Sequence, residues 1–566
     1  MKILAISDSK TESGIAFYED GKLQFALNEE RVSRKKIDGS FPYLSLEYFY
    51  KRYTGVLDSI DMVVFAGIHT PAPISRIFNF LVDIDVGAGK RWYGNIYRYF
   101  DYLITYQFRL LSSVVPGKRK RKPMISLIEY VLRKRLHPSL RDKPISFVDH
   151  HMCHASATFY TSGFNEALVA SFDGFGDGAS GKLYLADKDG LRPVLSIDAL
   201  DSFGLYYSLI TEFLGFTPEK HEGKVTGLAA YGDYTKVKEK FPFKLTMRKN
   251  PKYLGRGGMM GLRDIHQALS DYRKEDVAAW LQHNTEMMIC DIVSHYMRRF
   301  NQRNIAIAGG LTANVKINQK IHELKEVKAI YIYPAMSDMG ASHGAILSIT
   351  KIPESFDHVF YGPRYDESEI EDTLKRKGMK YRHYNDIEKK IAKLLSKGNV
   401  VARFNGRMEY GPRALGNRSV LVHAVDKSIN NSLNEKLKRT EFMPFAPTIL
   451  EESADRCLKG LKGAERTSKF MNISFRVTDY MRETCPAAVH VDGTARPQII
   501  SKKDNASYYR IIEEYNKITG IPAILNTSFN VHEEPIVMTP EDAINGFRKA
   551  GLDYLAIGNF LVENGE

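Results

Sequence analysis

The sequence predicts an α/β protein of two successive units, the first assembled from a duplicated half. Three observations predict it. A strand, turn and returning hairpin occur twice, at 2–28 and at 167–198. Two buried strands, NIAIAGG and AIYIYPA, follow the second copy and lead into polar turns and helices. The stretch Lys351–Pro363 (KIPESFDHVFYGP) breaks the periodicity, and a further α/β segment lies beyond it. With 566 residues the chain exceeds one ordinary core, so two or three domains are expected, placed at 1–353 and 354–566. A hydrophobic content of 43% with 26% charged residues excludes a disordered chain.

In chain order, residues 2–28 read as a strand, Asp8 at a turn, the strand GIAFYED, a glycine turn and the strand KLQFALN. The second copy reads LVASFD ending in Asp173, a turn containing Gly174 and Gly176, then GKLYLADKDG and LRPVLSID. A strand ending in Asp beside a tight turn handles phosphate: the carboxylate binds a metal or polarises water, and turn N–H groups face phosphate oxygens. Duplicated in one chain, it resembles the two halves of the ribonuclease H-like, actin/sugar-kinase (ASKHA) fold. Helices are expected at roughly 205–215 and 275–300. Gly309 and Gly310 end a buried strand and let the backbone approach a nucleotide closely. MSDMGASHGAIL should open a helix.

No apolar run approaches the roughly 20 residues needed to span a bilayer. The start, MKILAISDSK, carries no signal-peptide pattern. Four scattered cysteines without CxxC spacing argue against a disulfide framework, and a cytoplasmic protein is expected. Net charge is +13, and residues 90–143 alone carry 14 Lys/Arg against three acids. This basic insertion, about 86–143, contains Lys118-Arg119-Lys120-Arg121-Lys122 with Trp92, Tyr93, Tyr97, Tyr99 and Phe100 upstream. It reads either as a solvated insertion or as a surface that steers a nucleic acid onto the protein.

Residues 146–158, SFVDHHMCHASAT, run from strand to helix. His150 and His154, four apart, share one helix face. Asp173 closes a strand and Asp338 sits in MSDMG at a strand-to-helix turn, and in a duplicated α/β fold the C-terminal strand edges line one cleft. A His2Asp2 set suits iron, manganese or zinc. His151 points elsewhere and reads as structural. In the second unit NGRMEYGPRALGNRS carries Arg407, Arg413 and Arg418; Lys436, Lys438, Arg439, Arg496, Asn526 and Ser528 follow. Cations set among Gly, Asn and Ser turns fit a polyphosphate pocket.

In order, DHHMCHA, SFDGFGDG, KHEGKVTGLAAYG, GGLTANVKIN and MSDMGASHGA resemble the motifs of the NodU/CmcH/TobZ-type O-carbamoyltransferases. That family includes the tobramycin, cephalosporin and nodulation-factor carbamoyltransferases. The N-terminal part also looks like the enzyme that completes threonylcarbamoyladenosine in tRNA. The resemblance spans essentially the whole chain. It implies that His150, His154, Asp173 and Asp338 ligate a metal, iron in the family, and that Gly309–Asn314 holds the adenine nucleotide. It also implies a C-terminal YrdC-like unit making carbamoyl-adenylate from carbamoyl phosphate and ATP with magnesium. Arg418, Lys438, Arg496 and Asn526 are then the expected phosphate and carbamoyl contacts. Asp8 and Glu222, with Lys224 beside them, are the candidates for catalysis on the acceptor hydroxyl.

The chain departs from the family pattern at Ser7 and Ile37, where His is common, and at Met443, where Arg is common. VRGEP appears as VHEEP, with His532 and Glu533. The acceptor is therefore open: a hydroxymethylated base in DNA, served by the basic insertion, or a small sugar, antibiotic or metabolite. A non-catalytic ATP- or nucleic-acid-binding module would have lost the metal or phosphate residues, and both sets are present.

Overall fold

The computed structural model describes residues 1–68, 70, 76, 122–246, 252–255, 262–438 and 442–565. Most of the basic insertion, including 118–121, and Arg439 lie outside the described residues.

The first unit contains two five-stranded sheets of identical plan. Strands β1 (Ile3–Ser7), β2 (Gly14–Glu19), β3 (Lys22–Asn28), β4 (Met62–Ala66) and β5 (Ile145–Val148) take the order β3-β2-β1-β4-β5. In the second sheet β6 (Ala167–Gly176), β7 (Ala179–Asp187) and β8 (Gly190–Asp198) are joined by two later strands, Asn304–Ala308 and Ala329–Ile332. Counted from its own first strand, that sheet repeats the order 3-2-1-4-5. In both sheets the first three strands are antiparallel and the last two add in parallel. The duplicated ribonuclease H-like fold is thus visible in the hydrogen bonding itself. The parallel strands are continuous apolar runs because both of their faces are covered.

Two helices knit the halves together. His150–Ser162 follows β5 but packs on the second sheet, and Ala341–Thr350 follows the last strand of the second sheet but packs on the first. They cross at Gly344, where a Cβ would stand 1.9 Å from the Cys153 carbonyl oxygen. The first of them starts at Asp149, whose side chain caps the Met152 N–H at 3.0 Å, and stops at Gly163 with φ 76°. The expected helices form as Phe203–Phe213 and Lys274–Arg299.

Residues 351–366 carry no helix or strand. Beyond them an eight-stranded mixed sheet runs, edge to edge, 382–383, 560–563, 554–557, 401–404, 418–422, 523–528, 446–450 and 498–500. One apolar cluster extends from Ile305 and Ile307 of the first unit to Val420 and Leu525 of this sheet, so the two units share a core. No helix among the described residues is long and apolar enough to cross a membrane.

Candidate active site

Four side chains converge where the two halves of the first unit meet. Asp173 leaves the end of β6, Asp338 opens the turn before Ala341–Thr350, and His150 and His154 come from one helix face. His150 Nε2 and His154 Nε2 are 3.2 Å apart. Asp173 Oδ2 lies 3.3 and 3.0 Å from them, and Asp338 Oδ1 lies 3.5 and 3.3 Å away. The four donor atoms all fall within 4.8 Å of one another.

This donor set fits a metal. Asp338 Oδ1 is buried with no hydrogen-bond donor. Burial alone would pull the His150 pKa down, but the Asp338 and Asp173 carboxylates reverse that and raise it to about 10; His154 is raised as well. The cluster therefore draws in positive charge, which a divalent ion supplies. His151 is a satisfied core residue: its ring contacts Ser171 Oγ at 2.8 Å and the Ala179 carbonyl at 3.1 Å, and burial lowers its pKa to about 3. Gly176 makes room for the cluster, since a Cβ there would lie 2.0 Å from His150 Cδ2.

Asp173 and Asp338 line a cavity of about 900 Å³. Gly174, Gly310 and Asn314 line it next; Gly309, at φ 101°, presses against the Phe172 carbonyl behind them. Glu222 and Lys224 also line it. Glu222 accepts Ser208 Oγ–H at 2.7 Å and the Glu219 N–H at 2.6 Å, and burial raises its pKa. The wall then crosses into the second unit at Arg413, Arg496, Asn526 and Ser528. Asn526 Nδ2 donates to the Ala414 carbonyl and to Gln498 Oε1, each at 3.2 Å, while its buried Oδ1 has no hydrogen-bond partner.

Other expected residues lie away from the cavity. Asp8 is held by Arg76, with Nε and Nη2 at 2.9 and 2.8 Å from its two oxygens, and is buried in that pair. Arg418 is fully buried and donates to the carbonyls of Asn405, Asn417, Pro363 and Gly406, over the Phe404 ring. Arg407 donates to the carbonyls of Gly362, Gln24 and Tyr361, tying the units together. Lys438 is exposed and outside the lining.

Two residues that sequence reading passed over matter. Glu12 lines the cavity from the β1–β2 turn, and burial with the Asp338 and Glu30 charges raises its pKa to about 8. Glu409 Oε1 accepts the N–H groups of Leu415, Asn417 and Arg418 at 2.8, 2.9 and 3.2 Å, shaping the loop that carries Arg413. A lone acid inside the arginine-rich RMEYGPRALGNR was the available signal for Glu409. In the described end of the basic insertion, cations serve local contacts. Arg133 pairs with Glu129 and with the Lys143 carbonyl, Lys143 donates to the Asp58 carbonyl, and Lys134 covers the Tyr130 ring.

Residues 2–347 match the profile of the carbamoyltransferase N-terminus and residues 392–564 that of the carbamoyltransferase C-terminus. An uncharacterised protein of Methanocaldococcus jannaschii is 32% identical across 100% of this chain and 99% of its own length. Nodulation protein NolNO of Sinorhizobium fredii is 30% identical over 96% of this chain and 78% of its own. Among solved structures, phosphate- and nucleotide-bound HypF aligns at 11% identity and a TM-score of 0.35, over 62% of this chain and 46% of that one. With the duplicated fold, the His2Asp2 cluster and both profiles in one chain, this protein belongs to the carbamoyltransferase family and is a carbamoyl-transferring enzyme.

Proposed function

We propose that the enzyme makes carbamoyl-adenylate from carbamoyl phosphate and ATP at the second unit and transfers the carbamoyl group to an acceptor hydroxyl beside the metal cluster. The observation that carries this reading is that one cavity is lined both by Asp173 and Asp338 of the first unit and by Arg413, Arg496 and Asn526 of the second. Water first cleaves carbamoyl phosphate to carbamate and inorganic phosphate. Carbamate is a poor electrophile, so its oxygen attacks the ATP α-phosphate, giving carbamoyl-adenylate, from which AMP later leaves, and expelling pyrophosphate. Arg413 and Arg496 stabilise the charge that develops on it. Asn526 Oδ1, left free by its other contacts, accepts the carbamoyl NH2; a methyl group in its place would leave that oxygen unmatched. The adenylate then reaches the first unit without meeting bulk water, which would hydrolyse it.

In the first unit His150, His154, Asp173 and Asp338 would hold iron, manganese or zinc, which would supply Lewis acidity toward the carbamoyl or phosphate oxygen. Magnesium would accompany ATP. Glu222, whose carboxyl group is raised by burial, is placed to take the hydroxyl proton, with Lys224 as its cationic neighbour on the same wall.

The acceptor best supported is a small polar molecule. Glu12, Glu212, Glu219 and Glu534 line the cavity alongside its lysines, a mixed lining poorer for a nucleic-acid backbone than a continuous basic groove. The hydroxymethylated-base reading draws instead on the +11 balance of residues 90–143. The test supplies ATP, magnesium and carbamoyl phosphate without acceptor and follows pyrophosphate. Release that requires carbamoyl phosphate supports the reading; ADP as the only nucleotide product contradicts it. Adding aminoglycosides, sugars or hydroxymethylated DNA then identifies the acceptor by the mass of one added carbamoyl group.

A further inference from the structure

Residues 529–539 form an irregular strap between the strand Ala523–Ser528 and the helix Pro540–Ala550. His532, Glu534, Pro535 and Ile536 of this strap line the cavity, facing Lys220, His221 and Lys224 of the first unit. Two sets of contacts fasten it across the gap. On one side Arg34 donates to the carbonyls of Pro535 and Ile536 at 2.8 and 2.7 Å. On the other, Glu533 Oε1 lies 3.0 Å from His221 Nε2 and Oε2 lies 3.5 Å from Lys220 Nζ. His532 Nε2 is 3.2 Å from the same carboxylate.

His221, His532 and Glu533 have the composition of a metal site, but the hydrogen bonding speaks against one. His221 Nδ1 accepts the Thr217 N–H at 3.1 Å, so the neutral ring carries its proton on Nε2. That nitrogen donates to Glu533 and has no lone pair for an ion. Lys36, Lys220 and Lys224 add positive charge around the carboxylate.

Glu533 also sits at φ 65°, a conformation that glycine takes freely and a side chain takes at a cost. The strained residue carries the carboxylate that bridges the two units at the cavity wall.

We propose that Glu533 is a latch: by bonding His221 and Lys220 it holds the 529–539 strap shut over the cavity. Its role in retaining carbamoyl-adenylate rests on the function proposed above; the closure itself does not. Opening the latch lets water reach the cavity and lets the intermediate escape, while the phosphate-binding wall at Arg413 and Arg496 stays intact.

The test compares wild type with Glu533→Gly, which removes the carboxylate and relieves the backbone, and with His221→Ala. Hydrogen exchange read peptide by peptide reports closure without any assay of activity. In both variants exchange in 529–539 should rise about tenfold, as expected for the loss of one charge-assisted hydrogen bond. Carbamoyl phosphate-dependent ATP turnover without acceptor should rise with it. Unchanged exchange in both variants overturns the latch. Faster exchange in a protein whose wild type shows no such turnover keeps the latch and overturns the adenylate reading. A second transition metal bound by wild type and lost in His221→Ala would overturn the latch in favour of a metal site.

Discussion

Gly176 fixes the His150 ring by having no side chain. A Cβ would lie 2.0 Å from His150 Cδ2, so Gly176→Ala must push the imidazole out of the cluster. Metal retention against a chelator should weaken about 10- to 100-fold, read by elemental analysis, with the far-ultraviolet circular dichroism unchanged. Glu409 does comparable work in the second unit. Removing its carboxylate in Glu409→Ala strands the N–H groups of Leu415, Asn417 and Arg418, at a cost of about 3 kcal/mol, visible as a lower urea midpoint. At this scale the sequence was partly readable. The His150/His154 spacing, Asp173 at a strand end and Asp338 at a strand-to-helix turn pointed to one site because helix periodicity and strand ends are local properties. The ion pair that holds Asp8 was not legible, because its partner, Arg76, lies 68 residues away. Arg413 and Arg418 share one loop, yet only the first lines the cavity; which guanidinium is consumed by carbonyls depends on how the chain folds back.

The crossing of His150–Ser162 with Ala341–Thr350 sets the distance between two ligands and a third. His150 and His154 ride on the first helix, and Asp338 sits at the start of the second. Gly344→Ala places a methyl 1.9 Å from the Cys153 carbonyl, a backbone atom that cannot turn aside. A stability loss of about 1–3 kcal/mol is expected, seen as a lower Tm, together with reduced metal content. Unchanged metal content would mean that the helix pair does not position the cluster. The elements themselves were legible. Alternating hairpins and buried apolar strands announce their period, and the repeat of the hairpin exposed the duplication. The exchange of helices between the two sheets was not legible, because no local pattern tells a helix which sheet it will cover.

The two units meet in a shared core and in polar contacts such as Lys316–Asp492 at 2.8 Å. Burial opposes the Asp492 charge, but His490 beside it, 3.3 Å away, and the contacts from Lys316 and Thr494 hold its carboxyl far below the ordinary range. A depressed carboxylate contributes stability above its unfolded pKa and loses it as pH falls toward the folded value. The contribution is therefore complete at neutral pH and drains below about pH 4. Asp492→Asn should lower the neutral Tm and flatten the acid limb of the stability profile. At this largest scale, the sequence indicated two units but not that one cavity joins them, since its walls come from segments hundreds of residues apart. That cavity is the central claim, and the direct measurement is pyrophosphate release alongside carbamoyl transfer in two variants. His154→Ala should keep carbamoyl phosphate-dependent pyrophosphate release yet transfer nothing, and Arg496→Ala should lose both. Loss of pyrophosphate release in His154→Ala, with its fold intact, would contradict the division of the chemistry between the two units.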